Sequence, residues 1–314
     1  MFWVIEEGLS FYGVAVGIFM TLSGYLLFNK LDNAKNDEAK WMAAKSQVKR
    51  ILTVYILWSI PYLIYSISLW DFKNLTIMFV LRTVRGWIFN STFYTIWFMP
   101  ALAVGILFTY ILQKHLKWKI VCIIASIFYI IGSLQLTYSF VLKDVSAWIW
   151  FKNFSDTWLQ GARGGIFFGM PLIVLGGCAS KIKWQSIKWA AVLSIGALIG
   201  VVVEAVVLRV LVGGCGVDMV IMMVPACLFI TMFLTSVEWK GGKQYRWMRA
   251  MSVLIFMTQR LFLTVIPHYF TETVNYMIFN NPYVGSLVIC GSAIAFSCFI
   301  YMMSYKFKWL HKLY

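Results

Sequence analysis

A chain of 314 residues in which 61% of side chains are hydrophobic and 12% charged, with a mean hydropathy of +0.79, is excluded from the ordinary soluble globular class and reads as a polytopic integral membrane protein. Its net charge of +15 would suit a nucleic-acid surface if the basic residues formed one stripe. They fall instead in short clusters between apolar runs, the pattern of loops facing anionic lipid, which sets nucleic acid aside and leaves membrane lipid as the expected partner.

The first apolar stretch, Gly17-Ile-Phe-Met-Thr-Leu-Ser-Gly-Tyr-Leu-Leu-Phe28, lies in a run of about 20 residues, which at about 1.5 Å each matches a hydrocarbon core of about 30 Å. Ser23, Gly24 and Tyr25 interrupt it with polar groups that lipid would leave unsatisfied, so they are expected to face other helices or a cavity. Upstream, Glu6 and Glu7 stand where a cleavable signal would be basic. Nine apolar runs follow one another at 9–29, 50–70, 95–113, 119–138, 164–180, 188–211, 219–236, 251–269 and 284–305. The predicted fold is therefore all-α, a bundle of about nine transmembrane helices in a single domain over 1–314.

The connecting segments alternate in charge. Lys30, Lys35, Lys40, Lys45, Lys49 and Arg50 fall in one loop, Lys114, Lys117 and Lys119 in the next, and Lys181, Lys183 and Lys188 in a third. Lys240, Lys243, Arg246 and Arg249 fill a fourth, and Lys306, Lys308 and Lys312 the tail. The positive-inside rule makes these cytoplasmic and the intervening segments external, so the N-terminus is expected outside and the C-terminus inside. The aromatic stretches 87–94 and 148–151 are too short to cross and are expected at the outer interface.

Glycines at four-residue spacing, Gly13 with Gly17, Gly165 with Gly169 and Gly196 with Gly200, predict close helix contacts. Pro61, Pro100, Pro171, Pro225 and Pro267 predict kinks. The cysteines, Cys122, Cys178, Cys215, Cys227, Cys290 and Cys298, mostly sit in apolar segments without metal-ligand spacing and read as small packing residues.

A charge at the bilayer centre costs at least about 2.5–3.5 kcal/mol on insertion scales, so Glu204, Arg209 and Arg260 each need a partner or water. Arg260, beside Gln259 near the middle of its run, points to a polar cavity or a buried ion pair, and Glu204 is a candidate partner. Arg209 lies within snorkelling reach of the surface, and His115 and His268 fall near run ends. No phosphate loop, metal site, nucleophile elbow or adjacent intramembrane carboxylate pair is present, so any reaction site is assembled from several helices.

Phe19-Met-Thr-Leu-Ser-Gly-Tyr-Leu-Leu-Phe28 resembles the signature of the acyltransferase-3 family of bacterial membrane acyltransferases. Four further stretches are similar to that family in the same order: Lys49-Arg50-Ile51-Leu52 with Pro61-Tyr62, then Thr95-Ile-Trp-Phe-Met-Pro-Ala-Leu102, Arg163 to Gly176, and Met251 to Gln259. The resemblance implies a multi-pass protein of the bacterial cytoplasmic membrane. It implies transfer of an acyl group, commonly acetyl from acetyl-CoA, to a hydroxyl of a surface glycan or lipid-linked sugar. On that expectation Lys49 and Arg50 hold the phosphates of acyl-CoA, and Ser23, Tyr25, Trp97, Glu204, Gln259 and Arg260 line the substrate cavity. No catalytic residue is assigned, because the family's first span, with its Arg or Lys and its His, has no counterpart, and Gln259 stands where the family has a late His. The chain is expected to be a family member lacking that first helix. The competing functions are a catalytically degenerate homologue and a small-molecule transporter or flippase built around Arg260 and Glu204.

Overall fold

The computed structural model describes residues 11–72, 75–89, 91, 96–182, 186–212, 218–237, 242–269 and 282–314, with only the backbone described at some positions, Arg260 and His268 among them. Every regular element among the described residues is helical. The long helices are α1 (Phe11–Asp32), α2 (Asp37–Ser68), α4 (Phe98–His115), α5 (Trp118–Gln135), α8 (Ile187–Val212), α10 (Lys243–Tyr269) and α11 (Pro282–Lys306). Shorter ones are α3 (Ile77–Phe89), α6 (Ser146–Trp158), α7 (Met170–Lys181) and α9 (Met223–Ser236). Each of the nine apolar runs lies wholly or largely within helix, and among the described residues five helices are long and apolar enough to cross a membrane: α1, α2, α5, α8 and α11. The helices α3 and α6, of 13 residues each, reach only about 20 Å and fall short of the hydrocarbon thickness.

One boundary differs from the expectation. The basic segment 37–50 is not a loop but the first four turns of α2. Asn36 caps it, accepting the Ala39 N–H at 2.8 Å, and Asp37 and Glu38 stand in the first turn where the helix dipole favours negative charge. The Ala, Lys and Gln residues that follow are strong helix formers, so α2 runs unbroken from the polar segment into the apolar one. Lys40, Lys45, Lys49 and Arg50 are therefore held at fixed positions on a helix.

The chain forms two compact units. Unit 1 comprises Met1–Ile51, Val84–Ser91 and Trp97–Glu238; unit 2 comprises Leu52–Thr83, Thr92–Ile96 and Trp239–Tyr314. In unit 1 the most extensive helix pair is α1 against α7, with α9 on α1 and on α8, and α5 on α7. The α1–α7 crossing is a backbone contact. A Cβ on Gly24 would run into the Ile173 carbonyl, and one on Gly176 would strike the Thr21 carbonyl. Around it Met20, Leu27, Phe28, Met170 and Ile173 are fully buried.

The chain enters α7 through a π-helical turn over Gly165–Gly169, where the Met170 N–H bonds to the Gly165 carbonyl. Pro171 follows and brings no N–H to an α-helical ladder, which is one cause of such a turn. Gly165 and Gly169 both lie against the Ala101 carbonyl of α4, so this glycine pair packs as its spacing predicted. Gly17 is pressed on Cys227 Sγ, but a Cβ on Gly196 would meet nothing within 4 Å, so the Gly196–Gly200 spacing marks no close crossing at Gly196.

In unit 2, α10 packs on α11. Tyr62 of α2 donates to the Met257 carbonyl at 2.6 Å, Thr258 and Ser297 share a buried hydrogen bond at 3.2 Å, and Phe262 meets Phe296 edge to face at 5.6 Å. The Trp58 indole N–H donates at 3.0 Å to the Leu313 carbonyl in the 3₁₀ tail Lys308–Leu313, which anchors that tail on α2.

The same substitution at two glycines separates these environments. Gly24→Ala forces a methyl into the α7 backbone and is expected to lower stability by about 1–3 kcal/mol. Gly196→Ala adds a methyl in open space and removes glycine's entropic cost, for a gain of about 0.5–1 kcal/mol. Thermal unfolding of both variants in detergent, read against the parent protein, checks the opposite signs.

Candidate functional site

The densest polar constellation among the described residues belongs to unit 1, where α9 begins. The first N–H groups of any helix lack intrahelical acceptors, and in an apolar surround each unsatisfied donor is costly. Here Glu204, on α8, supplies the acceptor: its Oε1 takes the Ile221 N–H at 2.9 Å and its Oε2 the Met222 N–H at 2.7 Å. The Tyr138 hydroxyl also donates to Oε1. The helix dipole adds to the attraction, because the carboxylate sits at the positive end of α9.

The residues just before α9 are fixed one by one. Asp218 pairs with Arg163, the Met219 N–H donates to Thr137 Oγ1 at 3.1 Å, and the Val220 carbonyl accepts the Tyr129 hydroxyl at 2.7 Å. Four elements thus converge on 218–222: α5, the segment after it, the loop before the π turn, and α8. Both oxygens of Glu204 are engaged, so the group works here as a cap and an anchor.

The other predicted site residues separate into two groups. Ser23 is half-buried, its hydroxyl donating to the Phe19 carbonyl at 2.8 Å, and its own carbonyl faces the Gln47 amide at 3.4 Å. Ser23 lies between exposed Phe19 and Leu26, whereas the sealed hydroxyl of the stretch is Thr21, bonded to the Gly17 carbonyl at 2.9 Å. The Gln47 contact brings the Ser23-Gly24-Tyr25 step within a helical turn of Lys49 and Arg50, which are exposed on α2. Tyr25 is half-buried, and Trp97 packs its ring edge on Phe168 at 5.5 Å. All of these belong to unit 1, while Gln259 and Arg260 belong to unit 2. Gln259 is half-buried on α10 beside the sealed Thr258; the Arg260 side chain lies outside the described residues, as does Cys215.

Sequence reasoning missed Tyr138, Thr137, Tyr129 and the pairing of Arg163 with Asp218. Arg163 and Asp218 are 55 positions apart, and four of the acceptors or donors in the constellation are backbone groups, the Met219, Ile221 and Met222 N–H and the Val220 carbonyl, which leave no mark on the sequence.

Unit 1 also holds a cavity of about 610 Å³. One face of α5 forms its length, from Cys122 through Tyr129 to Leu134, and α7 contributes Pro171, Val174 and Cys178. Tyr138, Ile221 and Val224 close one end, next to the Glu204 cap. At the other, the Cys122 and Cys178 sulfurs are 3.6 Å apart.

The family model described as an acyltransferase domain matches residues 1–302 of the chain. The chain belongs to the acyltransferase-3 family. Curated relatives of this member carry other names. Two proteins of Enterococcus faecalis named amino-acid racemase share 32% identity over 168 residues (53% of this chain, 22% of the relative) and 23% over 262 residues (82% and 36%). A serine/alanine racemase of Enterococcus gallinarum shares 24% over 313 residues, 97% of this chain and 42% of the relative. The acyltransferase-3 chain thus spans less than half the length of these relatives. No solved structure matches it.

Glu204→Gln keeps the size of the cap but turns an amide N–H₂ toward backbone donors, so a loss of about 1.5–3 kcal/mol is expected, the range for hydrogen bonds to a charged group. Arg163→Ala breaks a pair whose arginine is 45% exposed and is expected to cost at most about 1 kcal/mol. Thermal midpoints of the two variants, measured side by side, rank the anchors.

Proposed function

We propose that the protein is a membrane O-acyltransferase that moves an acyl group, acetyl in the simplest case, from acyl-CoA to a hydroxyl of an extracytoplasmic glycan or lipid-linked sugar. The observation that carries this reading is the acyltransferase match over residues 1–302, nearly the whole chain. In the proposed reaction the acceptor oxygen attacks the thioester carbonyl, the C–S bond breaks as the C–O bond forms, and CoA leaves as its thiol after taking up the proton. Lys49 and Arg50 are the proposed phosphate contacts. Both are exposed and sit at consecutive positions of a regular helix, and a guanidinium beside an ammonium suits the diphosphate and 3′-phosphate of CoA. The family signature Ser23-Gly24-Tyr25 stands next to them through the Gln47 contact, which favours this end of α1 and α2 as the donor side.

A second reading follows from the names of the relatives. Two are called amino-acid racemases and one a serine/alanine racemase, and this chain corresponds to only part of each. With Gln259 where the family has a late His, a membrane unit that carries serine or alanine rather than transferring an acyl group is the alternative.

Proteoliposomes containing the full chain and labelled acetyl-CoA decide between them. Label transferred to surface glycan, with Arg50→Ala lowering apparent donor affinity about tenfold or more, a change of about 1.4 kcal/mol, supports the transferase. Absence of transfer, together with uptake of labelled serine or alanine by the same vesicles, moves the assignment to the carrier.

A further inference from the structure

The cavity of unit 1 has a shape and a chemistry that the acyl-transfer reading does not use. It follows one face of α5 from Cys122 to Leu134, twelve residues, or about 18 Å at the helical rise. One leaflet of a bilayer has about 15 Å of hydrocarbon, half of the full core, so the trough is as long as one leaflet is deep. Its volume of about 610 Å³ over that length accommodates one extended hydrocarbon chain.

The walls carry six polar side chains and no charged one: Cys122, Ser126, Tyr129, Ser133, Tyr138 and Cys178. Every one already has a partner inside the protein. Ser126 donates to the Cys122 carbonyl at 3.0 Å, Ser133 to the Tyr129 carbonyl at 2.9 Å, and Tyr129 to the Val220 carbonyl at 2.7 Å. Tyr138 donates to Glu204, and the two thiols face each other at 3.6 Å. A sugar or a CoA phosphate entering here would lose its water and gain little in exchange, while an apolar chain loses nothing. The trough is also a poor host for water, which needs two to four polar partners.

We infer that this trough is a binding site for one acyl chain of a membrane glycerolipid, lying along α5 between the Tyr138 end and the Cys122–Cys178 end. The inference is independent of whether the protein transfers an acyl group. Its test uses the full chain in nanodiscs made with a glycerophospholipid that carries a photoactivatable diazirine in one acyl chain. Illumination is expected to label peptides from 122–141 and 171–178 in excess over the exposed face of α8 around Ile195 and Ile199. Ser126→Trp and Leu175→Trp, at the more open positions of the wall, are expected to lower labelling of the trough roughly tenfold while leaving α8 labelling unchanged. Unchanged α8 labelling also shows that the variants are folded. Equal labelling of both faces, insensitive to either tryptophan, overturns the site. Displacement of the probe by a polyprenyl phosphate at equimolar concentration, but not by unlabelled glycerolipid, overturns the choice of occupant.

Discussion

The backbone contact between α1 and α7 at Gly24 and Gly176 is the constraint on which unit 1 depends. In lipid no hydrophobic driving force pushes helices together, and attraction comes from close van der Waals packing and from polar groups satisfied between helices. Two glycines facing carbonyls let the helix backbones touch, and Met20, Phe28, Met170 and Ile173 close around them. With α7 held by α1, its other faces become walls: one meets α4 through the glycines of the π turn, another meets α5 and forms the trough. The Ser23-Gly24-Tyr25 step thus serves packing first. Its glycine makes the crossing, its serine is satisfied by its own helix, and its carbonyl side is met by α2 through Gln47.

The second constraint is the cost of an unpaired polar group in an apolar surround, met at most positions although Thr109, Gln135, Trp148, Ser155 and Thr231 keep buried side-chain polar atoms without a hydrogen bond. Most hydroxyls solve this locally by donating four residues back, as Thr21, Ser23, Ser126, Ser133 and Ser194 all do. At the start of α9 the Met223 and Val224 N–H groups bond back to the Val220 and Ile221 carbonyls, while the Ile221 and Met222 N–H groups just before the helix are taken by Glu204 of α8. Its carboxyl oxygens accept both N–H groups, and Tyr138 adds a third donor. The carboxyl group that looked out of place in an apolar run therefore fixes the turn that leads into α9.

The elements were legible from the sequence because a bilayer imposes length and apolarity on every span, and each of the nine runs lies wholly or largely within helix. The early start of α2 was legible too, in Asn36-Asp37-Glu38, but was masked by the weight given to basic residues as loop markers. The pairing of elements was not legible. Glycine spacing along one helix singled out Gly196, which touches nothing within 4 Å, and passed over Gly24 with Gly176, whose relation exists only across two helices. Glu204 was correctly marked as needing a partner; that the partners are backbone N–H groups could not be read from side-chain identities. The contact between Gln47 and the Ser23 carbonyl, which brings the stretch 49–50 of α2 near the Ser23 step of α1, left no mark in either motif.

Unit 1 holds two polar regions. At the Glu204 end, the carboxylate, Tyr138, Tyr129 and Thr137 are all engaged with backbone or with one another, and Asp218 is paired with Arg163. These bonds hold the segment before α9 in place. At the other, Lys49 and Arg50 project from a helix whose dipole and cap fix its start, and they lie exposed beside the signature step. The α1–α7 crossing ties the α2 segment beside Ser23 to the α5 face that lines the trough, so one backbone contact positions both regions.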